Sequence, residues 1–89
     1  MKVIIPTALR KHTGGKRDVL VTATTVEDAL QQVVTAHPDL RNSLFDDSGS
    51  LVSYVNVFVN DTNIRDRQDG ATVLTERDEI LLVPAIAGG

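Results

Sequence analysis

Apolar and polar residues alternate along this chain with two different periods, and the places where the period changes mark its elements. Val26, Ala29, Leu30, Val33 and Val34 recur at helical spacing, so one face of a helix is apolar while Gln31, Gln32 and Thr35 point away. Thr25 precedes that run, and Glu27 and Asp28 follow in the first turn, where the helix dipole favours negative charge. Pro38 sets the end near Ala36 or His37. Elsewhere the period is two. Val55, Val57 and Val59 alternate with Tyr54, Asn56 and Phe58, which predicts a strand, and Asn60-Asp61 turns the chain into a shorter strand from Thr62 to Arg65.

The chain opens with two further strand-like runs. Val3 to Leu9 predicts a first strand, placed at an edge or bulge by Pro6, and Asp18 to Ala23 predicts a second. The Thr13-Gly14-Gly15-Lys16 turn between them predicts an antiparallel hairpin. Leu40, Leu44 and Phe45 suit one side of a short helix, Asp46 to Ser50 a turn, and Ala71 to Leu74 a brief helical turn. Ile80-Leu81-Leu82-Val83 is a continuous apolar run, expected to be a strand buried on both faces at the sheet centre, beside the first. Pro84 lacks a backbone donor, so regular pairing is expected to stop there or move to an edge.

The order β-β-α-β-β-β with a single amphipathic helix predicts an α+β fold. It is a mixed sheet of four to five strands with one main helix packed on it, the β-grasp or ubiquitin-like roll. The expected division is a domain over residues 1–83 and a flexible C-terminal tail over 84–89. That tail, Pro84-Ala85-Ile86-Ala87-Gly88-Gly89, becomes small and then bare of side chains. Extended, it spans roughly 20 Å. Glycines pass through channels too narrow for other residues, so the expected working group is the α-carboxylate of Gly89.

Composition narrows the function further. Eighty-nine residues make one small domain, with 42% hydrophobic and 24% charged residues. The formal net charge is −3, and only the pairs Arg10-Lys11 and Lys16-Arg17 cluster positive charge. With one Tyr, two Phe and no Trp, this argues against a nucleic-acid partner. No cysteine is present, which excludes a thiolate nucleophile, a disulfide or a Cys-based metal site. His12 and His37 lack a partner at ligand spacing, and Asp46-Asp47-Ser48-Gly49 lacks the alternation of a calcium loop. Met1-Lys2 runs directly into Val3-Ile4-Ile5-Pro6 with no room for a signal segment, and no apolar run is long enough to span a membrane, so a cytoplasmic protein is expected.

The whole chain resembles the sulfur-carrier proteins of the ThiS and MoaD family. The resemblance rests on an opening strand ending at Arg10, the helix begun at Thr25, the Val59-Asn60-Asp61 hairpin, and Asp78-Glu79-Ile80 leading to Pro84 through Gly89. Ile5 through Gly15 looks most like the cysteine-biosynthesis, or CysO-type, branch. The resemblance implies a protein co-substrate rather than an enzyme. Gly89, with Gly88 beside it, would be the acyl-adenylate and thiocarboxylate site.

A carboxylate is a poor electrophile and must be activated. This chain has no phosphate loop, because Arg10 stands where its first glycine belongs. The family's solution is an E1-like adenylyltransferase that uses ATP, so no cofactor is expected on this chain itself. A pyridoxal-phosphate cysteine synthase would accept the sulfur, and a metalloprotease would release the product. Partners would grip Arg10, Phe58, Val83, Pro84, Ala85, Ile86 and Ala87. The same terminus also suits a small subunit of molybdopterin synthase, a thiamine-type carrier or a ubiquitin-like protein modifier, and a binding module with an idle tail is the bland alternative.

Overall fold

The structure is a computed structural model that describes residues 1–52 and 54–84. Among these, five strands form one mixed sheet, and a single long helix covers one of its faces. In chain order they are β1 (Lys2–Ile4), β2 (Asp18–Leu20), α1 (Val26–Ala36), a short α2 (Arg41–Leu44), β3 (Val55–Val59), β4 (Thr62–Asn63) and β5 (Glu79–Pro84). The strand order is β2-β1-β5-β3-β4. β1 pairs antiparallel with β2 and parallel with β5, while β3 is antiparallel to both β5 and β4. The last strand therefore lies at the centre beside the first, as its apolar run predicts.

Helix α1 forms where its pattern and caps require it. Thr25 is extended, and its hydroxyl oxygen accepts the Asp28 N–H at 3.3 Å, the first half of a capping box. Val26, Ala29, Leu30, Val33 and Val34 are all buried against the sheet. The first N–H of the helix donates to the Thr72 carbonyl at 3.1 Å, and Leu74 N–H donates to Thr24 O at 2.8 Å. The loop before β5 thus fixes where the helix starts. The sheet contributes Val3, Val19, Val55, Val57, Val59, Ile80 and Leu82 to the same core.

The fourth strand is Thr62–Asn63 rather than Thr62 to Arg65, since Ile64–Asp66 turns as a 3₁₀ helix, and the expected turn at Ala71 to Leu74 lies at Asp69–Ala71. The structure corrects the sequence reading in three larger places. The first strand is Lys2–Ile4 rather than Val3 to Leu9. Pro6 (φ −64°, ψ 151°) ends it, and Leu9 N–H bonds back to Pro6 O at 2.9 Å, starting a 3₁₀ helix over Thr7–Thr13. The expected simple hairpin loop therefore contains a helical turn. Its fold-back is made at Thr13, a buried residue whose hydroxyl reaches the Arg10 and Lys16 carbonyls at 3.1 and 3.0 Å. Gly14 and Gly15, at φ 67° and 87°, supply the left-handed backbone this requires.

The second strand is also shorter, Asp18–Leu20. The third correction concerns β5. Ile80 and Leu82 are 0% and 1% exposed, but Leu81 and Val83 are each 38% exposed. The strand is central yet buried on one face only, because the described residues supply one helical layer and leave the other face of the sheet open. Pairing also runs one residue further than expected, since Pro84 is the last residue of β5 and stands opposite Val55. A proline fits there because it ends the ladder.

Candidate functional site

The site is built around the carboxyl end of β5. Parallel pairing sets Ile4 beside Leu81, so β1 and β5 finish at the same end of the sheet. Antiparallel pairing sets Val55 beside Pro84, so β3 begins there. Residues opposite one another in a ladder share a face. Ile4, Leu81 and Phe58 therefore form one row across three strands of the open face, and Val83 extends it toward Pro84. Ile4 and Phe58 are half-buried, and Leu81 and Val83 are exposed. The result is a continuous apolar strip leading to the end of β5, flanked by Lys2 and Glu79 on one side and by Asn56 and Asn63 on the other.

Two polar devices hold this strip in register. At the start of β5, Asn60 adopts φ 56°, its side chain donates to Asp78 at 3.0 Å, and its Oδ1 accepts the Glu79 N–H at 3.2 Å. Asp78 also accepts the Thr75 N–H at 2.8 Å. These hydrogen bonds, the Thr75 N–H first and the Asn60 amide second, hold the Asp78 carboxyl below its usual range. On the open face, Asn56 Oδ1 accepts from Asn63 at 3.4 Å and from Arg65 Nη1 at 3.1 Å, tying β3 to β4 and the turn that follows.

Of the residues singled out in the sequence, Phe58 and Val83 are brought onto one face, and Pro84 closes the strand beneath them. Arg10 stands at the same end of the sheet, half-buried, with Nε donating to the Ile5 carbonyl at 3.1 Å. Its guanidinium is positioned by the end of β1 rather than swinging free on a loop. Ala85, Ile86, Ala87, Gly88 and Gly89 lie outside the described residues. Sequence reasoning missed Ile4, Leu81 and Tyr54. The first two were hidden by apolar runs that carry no parity. Tyr54 is exposed and immediately precedes Val55, at the end of the sheet where β5 finishes.

A pocket of about 400 Å³, floored by Phe45, Val52, Val55, Val57 and Ile64, opens on the helix side of the sheet, away from this strip. Among the described residues, no three His, Cys, Asp or Glu side chains come together to hold a metal ion, and no helix is long and apolar enough to cross a membrane.

Comparison with known proteins places this geometry among relatives. A family model described as the ThiS family matches residues 3–89. The sulfur carrier protein CysO of Mycobacterium tuberculosis is 35% identical over 89 residues, covering 98% of this chain and 96% of that protein. Small archaeal modifier protein 1 of Haloferax volcanii is 38% identical over 69 residues, 73% of this chain and 70% of that one. Among solved structures, a chain of the Amycolatopsis orientalis BexX/CysO complex superposes with a TM-score of 0.90 at 33% identity, covering 99% of this chain and 98% of that chain.

Proposed function

The chain belongs to the ThiS family, and from that membership we propose that it is a sulfur carrier whose Gly89 carboxylate is converted to a thiocarboxylate, with cysteine as the product its sulfur enters. The reaction has two steps. A Gly89 carboxylate oxygen attacks the α-phosphorus of ATP on an E1-like adenylyltransferase, and pyrophosphate leaves. A sulfide-level donor then attacks the acyl carbon and expels AMP, leaving C(=O)S⁻ in place of the carboxylate. ATP belongs to the activating enzyme, so this chain needs no catalytic group. Its own contribution is to present the terminus and to be held.

The observation that carries this reading is the apolar strip Ile4–Leu81–Phe58–Val83 running to Pro84, five residues before Gly89. A face of this kind, open in a chain with a single helical layer, suits a partner that grips the body while its active site takes the terminus. Arg10, fixed at the same end, suits an acidic group on that partner. The near full-length likeness to CysO supports cysteine as the product. In that branch a pyridoxal-phosphate cysteine synthase accepts the sulfur, and a metalloprotease frees the amino acid from Gly89.

The test is incubation of the purified chain with ATP, sulfide and its E1-like partner, followed by intact-protein mass spectrometry. One oxygen should be exchanged for sulfur, and loss of Gly88-Gly89 should abolish the exchange while leaving the fold intact. Equal sulfuration of the truncated chain overturns the proposal. The 38% identity to an archaeal modifier protein favours a second use of the same terminus, attachment to lysines of other proteins. Adducts of the chain that survive reducing gels and carry Gly89 on a lysine side chain would establish that use.

A further inference from the structure

The sheet has a second exposed feature, at its other side. β2 is an edge strand, bonded to β1 on one side only. The pairing pattern shows which of its groups are free. Ile5 N–H donates to Arg17 O at 2.8 Å, and Met1 and Val21 exchange two bonds, each of 3.0 Å. Residues 17, 19 and 21 therefore turn their backbone groups toward β1. By the alternation of a strand, residues 18, 20 and 22 turn theirs outward. Thr22 is already occupied, because the Gln32 amide of α1 accepts its N–H and donates to its carbonyl as a neighbouring strand would. The outward N–H and C=O groups of Asp18 and Leu20 have no such cover.

The surroundings of this edge have one dominant charge. Residues 2–17 contain five of the nine Lys and Arg residues and no acid, in a chain of net charge −3. Lys16 and Arg17 line a groove between β2 and the end of α1 with Leu20, Ala36 and His37, and Asp18 is its one acidic member. Leu20 is 73% exposed, the largest exposure of any large apolar side chain among the described residues. An unpaired edge with an exposed leucine is a template for another strand. The positive flank disfavours a second copy of this chain, which would bring its own Lys16 and Arg17 to the same edge.

We propose that the β2 edge is a docking site for an extended segment of a partner protein. The segment lies antiparallel to β2, with apolar residues beside Leu20 and acidic residues at its carboxyl end against Lys16 and Arg17. Asp18 and Leu20 would each exchange two backbone hydrogen bonds with it. Leu20 and Asp18 lie on the open face, opposite Lys2 and Ile4, but the docked segment uses the outer backbone edge of β2, with β1 between it and Leu81.

The probe is a short synthetic peptide of alternating valine and threonine closing in a run of glutamates, with a lysine-ended version as control. It is titrated into the full chain labelled with ¹⁵N. Binding should move the amides of residues 17–20 and of Ala36 and His37, and should slow hydrogen exchange at Asp18 and Leu20. Leu20→Pro removes an outward donor without touching a β1 bond, an edge position that tolerates proline. It should weaken binding about tenfold. Lys16→Glu with Arg17→Glu, at two exposed positions, should do the same and flatten the salt dependence. Shifts confined to Ile4, Leu81 and Val83, or affinity unchanged in both variants, would overturn the proposal. So would protection of the same amides by self-association without peptide.

Discussion

Replacing adjacent residues of β5 with alanine separates folding from docking. Ile80 is fully buried between α1 and the sheet, and Leu81, one residue on, is 38% exposed on the open face. Truncating Ile80 removes three carbons from the centre of the core and leaves a cavity, costing about 3–4 kcal/mol. Leu81→Ala removes a side chain that is only partly withdrawn from water and leaves no enclosed hole, so about 1 kcal/mol is expected. A domain of this size has about 4–13 kcal/mol of stability. Ile80→Ala thus consumes a large fraction of it, and Leu81→Ala little.

In a domain of this length each kcal/mol moves the melting temperature by about 4–8 °C. The expected losses are therefore about 15–25 °C for Ile80→Ala and about 4–8 °C for Leu81→Ala by circular dichroism or calorimetry. The functional ranking should be the reverse. At a temperature where both variants are folded, Leu81→Ala should raise the KM for this chain in the activating enzyme's sulfuration assay about tenfold, a central contact being worth about 1–2 kcal/mol. Ile80→Ala should leave it near the wild-type value. If Leu81→Ala melts as low as Ile80→Ala, the second face of the sheet is not open. If its KM is unchanged, the strip is not where the activating enzyme holds the chain.

Two further measurements follow from the polar devices. Thr25→Ala removes the side-chain acceptor at the start of α1 and should cost about 1 kcal/mol, read as a melting temperature lower by about 4–8 °C, with Thr25→Ser restoring most of it. Asp78 is held below its ordinary value of 3.8, so the fold favours its charged form. Its contribution is full above the unfolded value and is lost as pH falls through the lower, folded one. Asp78→Asn should therefore be less stable than wild type at pH 7, with the gap closing in acid. A gap that stays constant with pH would mean that the carboxylate's charge does no work there.

The parts of the fold legible in advance were those where one local signal was strong. Thr25, the five apolar positions behind it and Pro38 placed α1 to within a residue at its end, because cap, period and stop signal agree. The strict alternation of Val55, Val57 and Val59 gave β3, and the structure shows which of its two partly apolar faces is buried. The central position of β5 was legible from its four apolar residues, but the identity of its inward side chains was not, since a continuous run looks the same in either register. Which face remains uncovered depends on how many helices the whole chain can supply.

The Ala8-Leu9-Arg10 turn was obscured for the opposite reason. The β-branched residues before Pro6 suggested a longer strand, and the fold-back depends on Thr13, seven residues further on. Part of the candidate site was legible. Phe58, Val83 and Pro84 follow from the family resemblance, while Ile4 enters only through a pairing 77 positions apart along the chain.

The placement of β5 also has a mechanical side. It is laced to β1 through three residue pairs and to β3 through five. β1 starts at one end of the sheet, and β5, parallel to it, finishes at the other. A tug on Pro84 against Met1 therefore loads the β1–β5 ladder in shear, with its hydrogen bonds strained together instead of unzipped in turn. A machine hauling on the carboxyl end would meet its greatest resistance at the outset, so the body stays whole while its last residues are worked on.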